Sequence, residues 1–171
     1  ILKTFYELGI VPNYTTNGLG LSDEICEATA RYCGGVAISL HKHLKNIPHK
    51  AAKKLLEYGV LTSYNYLISD EKSVNDFITN FFKHPEIKYH VLLPQMPQGR
   101  AETGTPQSVR DYLFECLGEL SQDEIEHVAF GANFYEDLKQ HREIKMSIYE
   151  PEVFSRYLDL ETMTTKESSF A

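Results

Sequence analysis

The side chains best suited to chemistry in this sequence stand where short apolar runs end in small polar groups. Thr16 and Asn17, in Tyr14-Thr15-Thr16-Asn17-Gly18, offer a hydroxyl and an amide, and Gly18 permits a tight turn or a close backbone approach. Ser39 closes the later run Val36-Ala37-Ile38-Ser39, Asn65 lies inside a third run, and Gln95 and Arg100 occupy a long loop after a fourth. Together these groups match a polar, zwitterionic ligand. Each alone has an ordinary reading: an Asx-turn for Asn17, a strand-end hydroxyl for Ser39, a satisfied internal amide for Asn65, a solvated guanidinium for Arg100.

Other reactive types are less well arranged. His41 and His43 stand close to His49, but no carboxylate or cysteine is spaced to complete a zinc site, so a solvated turn is expected, with His41 lining a pocket. Cys26 and Cys116 fall on apolar helical positions and are expected as core thiols; Cys33 sits at a helix end. No metal ligand is assigned within the chain.

The elements that must position these groups follow a strand–helix rhythm. Strands are expected at Ile10 to Tyr14, Val36 to Leu40, Val60 to Ile68 and Tyr89 to Leu93, and parallel neighbours joined by helices gather their chemistry at the strand C-termini. Ser22 with Asp23 and Glu24 reads as a helix start, Pro48 fits the first turn of a second helix, and Ser73 with Asp76 resembles a capping box before Val74, Phe77 and Phe81. A helix follows Thr105-Pro106. Ser121 to Glu126 reads as the cap of another short helix and His127 to Gly131 as a fifth strand, and periodicity alone does not decide. Another strand is expected at Ile144 to Tyr149.

The chain of 171 residues suits one compact unit, with 42% apolar and 24% charged residues and a formal net charge of -7. That balance disfavours a duplex nucleic-acid surface, which needs a basic face. No apolar run is long enough to span a membrane and no leader precedes Ile1, so a cytoplasmic, membrane-free protein is expected. The opening resembles the back half of a helix, from which a start inside a larger fold is expected.

The runs "PNYTTNG", "VAISLHK", "YNYLIS" and "VLLPQMPQGRA" resemble, in order, the third to sixth barrel strands of the radical S-adenosylmethionine enzymes. The resemblance covers most of residues 1–100 and rests on order and spacing. It implies an α/β fold, a partial TIM-like barrel forming the C-terminal part of a (β/α)6 radical S-adenosylmethionine fold. The barrel would occupy residues 1–149, with a C-terminal extension or hairpin at 150–171. It also implies two cofactors, S-adenosylmethionine and a [4Fe-4S] cluster, that generate a 5'-deoxyadenosyl radical for hydrogen abstraction. By the same resemblance Thr16 and Asn17 would approach the methionine part, Ser39 the carboxylate or ribose, and Asn65, Gln95 and Arg100 the ribose, carboxylate or adenine. The substrate would be a peptide or small molecule, and the reductant a protein such as flavodoxin or ferredoxin.

The family's Cys-x3-Cys-x2-Cys loop, whose thiolates hold the cluster, does not occur here. The cluster's ligands are therefore expected outside the chain, and the chain alone is expected to be inactive. The ending "YLDLETMTTKESSF" resembles the strand-turn-strand near the end of peptide-modifying members, but Ser168 stands where a cysteine often ligates an auxiliary cluster, so a plain hairpin is expected. Two alternatives remain open: a cluster-free α/β interaction or ligand-binding protein derived from this scaffold, and a flavodoxin-like doubly wound domain.

Overall fold

The computed structural model describes residues 1–97, 101–142, 144, 157–159 and 164–166. Five strands, β1 (Asn13–Thr16), β2 (Gly35–Ser39), β3 (Thr62–Ile68), β4 (Tyr89–Pro94) and β5 (Val128–Phe130), lie side by side in chain order, each parallel to the next. The sheet is open, with β1 and β5 as its edges. Helices α1 (Leu2–Glu7), α2 (Asp23–Tyr32), α3 (Ile47–Glu57), α4 (Glu71–Lys83), α5 (Gln107–Gly118), α6 (Gln122–Ile125) and α7 (Tyr135–Gln140) flank it. Among these five strands the order never reverses, whereas a doubly wound sheet requires a reversal.

Burial alternates along the strands and shows that the helices cover one face. In β3 the residues Thr62, Tyr64, Tyr66 and Ile68 are buried, while Ser63 and Asn65 are half-buried and Leu67 is exposed. Register carries this division across the sheet: Ile38, Tyr64 and His90 line up on the covered face, and Ser39, Asn65 and Val91 on the open one. Right-handed crossovers between neighbouring parallel strands put successive helices on the same side, which accounts for the asymmetry. The core lies between this covered face and the helices, with Ile38, Leu55, Val74, Phe77, Leu92 and Leu113 fully buried. Truncating such a residue to alanine costs about 2 to 5 kcal/mol.

Local signals fix the helix starts. The Ser22 hydroxyl accepts from the Ile25 N–H, with Asp23 and Glu24 in the first turn of α2. The capping box of α4 is built from Asp70 and Ser73, one turn earlier than the Ser73–Asp76 pair that the sequence suggested. Asp70 prevails because a carboxylate at the N-cap meets the Ser73 N–H at 2.7 Å, while the Ser73 hydroxyl reaches back to the Asp70 N–H. The ambiguous segment near His127 resolves into α6 with a Ser121–Glu124 capping box, followed by β5.

Strands β6 (Tyr157–Asp159) and β7 (Thr164–Lys166) pair antiparallel, as expected for a terminal hairpin. The strand expected at Ile144 to Tyr149 lies, apart from Ile144, outside the described residues. Among the described residues no helix is long and apolar enough to cross a membrane.

Candidate functional site

Because the strands are parallel, Thr16, Ser39 and Gln95 all fall at or just beyond strand C-termini, and Asn65 stands directly beside Ser39 in register. The decisive pair is Ser39 and Asn65. Both project from the open face, and the Leu40 N–H donates to the Asn65 carbonyl at 3.0 Å, which holds the two strands together there. The Asn65 side-chain oxygen is buried and has no hydrogen-bond partner among the described residues. The Ser39 hydroxyl also has none among the described residues. Two adjacent polar groups thus lack partners among the described residues, on a face whose neighbours Ala37 and Ser63 are small.

Thr16 and Asn17 are engaged locally. The Thr16 hydroxyl accepts from the Gly18 N–H at 3.1 Å, and the Asn17 side-chain oxygen accepts from the Leu19 N–H at 3.0 Å. Register places Thr16 beside Ile38, on the helix-covered face, so it does not share a surface with Ser39 and Asn65. Gly18 has a packing reason: its φ is +82° and an added Cβ would lie 2.7 Å from the Ala51 Cβ, so the turn seats directly on α3.

The Gln95 side-chain amide donates to the Thr103 carbonyl at 2.8 Å, which turns it toward its own loop. That loop is pinned by Thr105. The buried Thr105 hydroxyl donates to the Ile68 carbonyl and accepts from the Gln95 N–H at 2.8 Å, and the Thr105 N–H donates to the Gln95 carbonyl at 2.9 Å. Arg100 lies outside the described residues.

The covered face holds a polar network that the sequence reading missed. The Tyr66 hydroxyl and His90 Nδ1 are 2.9 Å apart, and the Tyr64 hydroxyl and His49 Nδ1 are 3.0 Å apart. His49 and His84 stack with centroids 4.6 Å apart, and His84 Nδ1 meets Glu86 at 3.0 Å. Burial pushes His90 down to about 4, helped by the nearby His127 and His84 and opposed by a backbone hydrogen bond to Ile87. Burial also lowers His49 and raises both tyrosines, so His49, His90, Tyr64 and Tyr66 favour their neutral forms. Strand alternation was the available signal, since His90 shares its face with Leu92.

Cys26 is buried in α2, Cys33 caps its end, and Cys116 in α5 is half-buried rather than buried as expected. Burial raises all three thiols. Among the described residues no group of three or more histidine, cysteine or acidic side chains is placed to hold a metal ion. These residues do not fit an iron–sulfur cluster, which needs convergent thiolates. A scan of protein-family models gives no match to this chain, and a search of curated proteins gives none either.

Proposed function

We propose that this chain forms the S-adenosylmethionine-holding strands of a radical S-adenosylmethionine enzyme. The observation that carries this reading is the unpaired, buried Asn65 side-chain oxygen beside the unpaired Ser39 hydroxyl, on the open face of a sheet that advances in barrel-like order. S-adenosylmethionine presents an ammonium, two ribose hydroxyls and an adenine amine, any of which gives Asn65 the donor it lacks. When bound beside a reduced cluster, the molecule supplies a 5'-deoxyadenosyl radical. This chain's part is to bind and orient it: Asn65 accepts, and Ser39 donates or accepts beside it. Gln95, held by the Thr105 clamp, fixes where the loop bearing Arg100 leaves the sheet. The cluster ligands, the reductant and the hydrogen-donating substrate lie outside these residues.

Calorimetric titration with S-adenosylmethionine tests the reading directly, since binding needs no turnover. Wild type should bind, Asn65→Ala should bind at least about tenfold more weakly, and Ser39→Ala should show a smaller loss. No binding by wild type, or unchanged binding in both variants, removes the reading. The placement of the three cysteines favours a second one, a cluster-free protein that binds a polar ligand on the same face. Iron and sulfide analysis after anaerobic purification of the native protein separates the two.

A further inference from the structure

His49 and His84 face each other as stacked rings, with centroids 4.6 Å apart and 12° between their planes, where the amino half of α3 meets the end of α4. Each ring has one further hydrogen-bond partner. His84 Nδ1 meets the Glu86 carboxylate at 3.0 Å, so a proton on His84 is held as an ion pair. His49 Nδ1 meets the Tyr64 hydroxyl at 3.0 Å, and Tyr64, 1% exposed, has no other hydrogen-bond partner among the described residues. A buried hydroxyl needs an acceptor, so Tyr64 donates and His49 Nδ1 must stay unprotonated to receive it.

A proton on His49 therefore meets three costs. It leaves the Tyr64 O–H without an acceptor, sets a second cation at stacking distance from a protonated His84, and adds positive charge to a first helical turn that holds no acidic residue. The surrounding charges do not offset this. Lys83 of α4 adds to the repulsion, and from the β2–α3 loop His41, Lys42 and Lys45 share a cleft wall with His49. Of the nearby carboxylates, Glu86 is bound to His84, Asp76 to Lys72, and Asp70 to Lys42 and its own cap. Behind Tyr64, Tyr66 of β3 and His90 of β4 are hydrogen-bonded to each other. Burial holds His49 below the ordinary histidine value of 6.5, helped by His84 and Lys83 and opposed by Glu86.

The amino half of α3 is the part that can yield. Its buried side chains, Pro48, Ala51 and Ala52, are small, and its N-cap Asn46 makes no side-chain capping bond. The carboxy half is fixed by the buried Leu55 and by Lys54 Nζ, which meets the Leu21 carbonyl and the Asp23 carboxylate, each at 2.8 Å. Ala51 also seats the β1–α2 turn at Gly18, so a shift of the amino half unseats that turn.

We propose that the His49–His84 stack is an acid-released latch: with His49 neutral it holds the amino half of α3 against β3 and the end of α4, and when His49 takes up a proton that half lifts away and unseats the Gly18 turn. Water then solvates the imidazolium and supplies the acceptor that the Tyr64 hydroxyl has lost. The closed form binds one proton fewer than the released form, so the latch is closed above pH 6.5 and opens as pH falls below that value. It stands whether or not the open face binds S-adenosylmethionine.

Nuclear magnetic resonance of the full chain from pH 7.5 to 5.0 tests it, through the Overhauser cross-peak between the Gly18 α-protons and the Ala51 methyl. In wild type the cross-peak should fall by about half or more, in step with protonation of His49 read from its ring-proton shift. His49→Gln keeps an acceptor for Tyr64 but takes no proton, and should hold the cross-peak within about a fifth of its starting value. His84→Gln removes the facing cation and should move the loss at least about half a pH unit lower. His43→Gln, an exposed change in the neighbouring loop, should match wild type. The methyl signals of the buried Leu92 and Leu113 should keep their native positions at pH 5.0, since the core stays folded. An unchanged cross-peak in wild type, an equal loss in His49→Gln, an unmoved midpoint in His84→Gln, or loss in step with the Leu92 and Leu113 signals overturns the proposal.

Discussion

A buried acceptor without a donor is a destabilising feature, and Asn65 is such a residue. Replacing it by valine removes the unpaired oxygen and installs a β-branched side chain that suits a strand. Asn65→Val should therefore leave stability equal or raise it by about 1 kcal/mol in urea unfolding while ligand binding is lost. A loss of about 1 to 3 kcal/mol would instead mean that the amide serves the fold. The sequence reading named Ser39 and Asn65, because small polar groups within or at the end of short apolar runs are legible in the sequence. It did not separate Thr16 from them, because one residue of register moves a side chain to the other face. The internal hydrogen bonds of Thr16 and Asn17 were equally out of its reach. His90 supplies a second prediction. Its folded value near 4 lies below the ordinary histidine value of 6.5, so between those pH values the unfolded chain binds a proton that the folded chain does not. Stability present above pH 6.5 should thus fall as pH drops toward 4, by about 3 kcal/mol for this group alone, with His49 acting in the same direction. Urea midpoints measured from pH 7.5 to 4 check this, and His90→Phe should flatten the dependence in that window.

At the scale of elements, the βα rhythm was readable because β2, β3 and β4 are short apolar runs and α2, α4 and α6 begin with a side-chain cap. Boundaries were less readable. The sequence reading put the cap of α4 at Ser73, whereas Asp70 takes that place, because its carboxylate accepts the Ser73 N–H and the Ser73 hydroxyl accepts the Asp70 N–H. The joint between β3, β4 and the following loop depends on a contact between residues far apart in sequence, Thr105 and Ile68, that no periodicity reveals. That joint is testable. Thr105→Val keeps the shape but leaves the Ile68 carbonyl without the Thr105 donor and removes one acceptor from the Gln95 N–H, so a loss of about 1 to 3 kcal/mol is expected in urea unfolding. Thr105→Ser keeps the hydroxyl and should lose less. Equal losses in the two variants would show that the methyl packing, not the clamp, matters. If the clamp also sets the loop at the mouth, Thr105→Val should weaken ligand binding where Thr105→Ser does not.

At the scale of the molecule, strands in unbroken sequential order with helices on one face leave the other face of the sheet uncovered. Leu67 is 52% exposed there and Leu61 45%, beside the half-buried Asn65 and Ser39. That asymmetry follows from parallel strands and right-handed crossovers, and it was legible once the βα repeat had been read. The unpaired Asn65 oxygen was not, because the burial of one side-chain atom has no signature in the sequence. The cysteines make the distinction measurable. Cys26 is buried in α2, Cys33 caps the same helix, and Cys116 lies in α5 beyond β4, and among the described residues these thiols form no group placed to hold an iron centre. Burial raises each thiol as well, which favours the protonated form over the thiolate that iron requires. Anaerobic reconstitution of this chain with iron and sulfide should therefore yield iron far below four per protein and no charge-transfer absorption that disappears in a Cys26→Ser, Cys33→Ser, Cys116→Ser triple variant. On the proposed reading, S-adenosylmethionine binding should be the same before and after that treatment, because hydrogen bonds from Asn65 and Ser39 would need no iron. Stoichiometric cluster in the wild-type chain, lost in the triple variant, would overturn the assignment of these thiols to the core and place the metal chemistry within these residues.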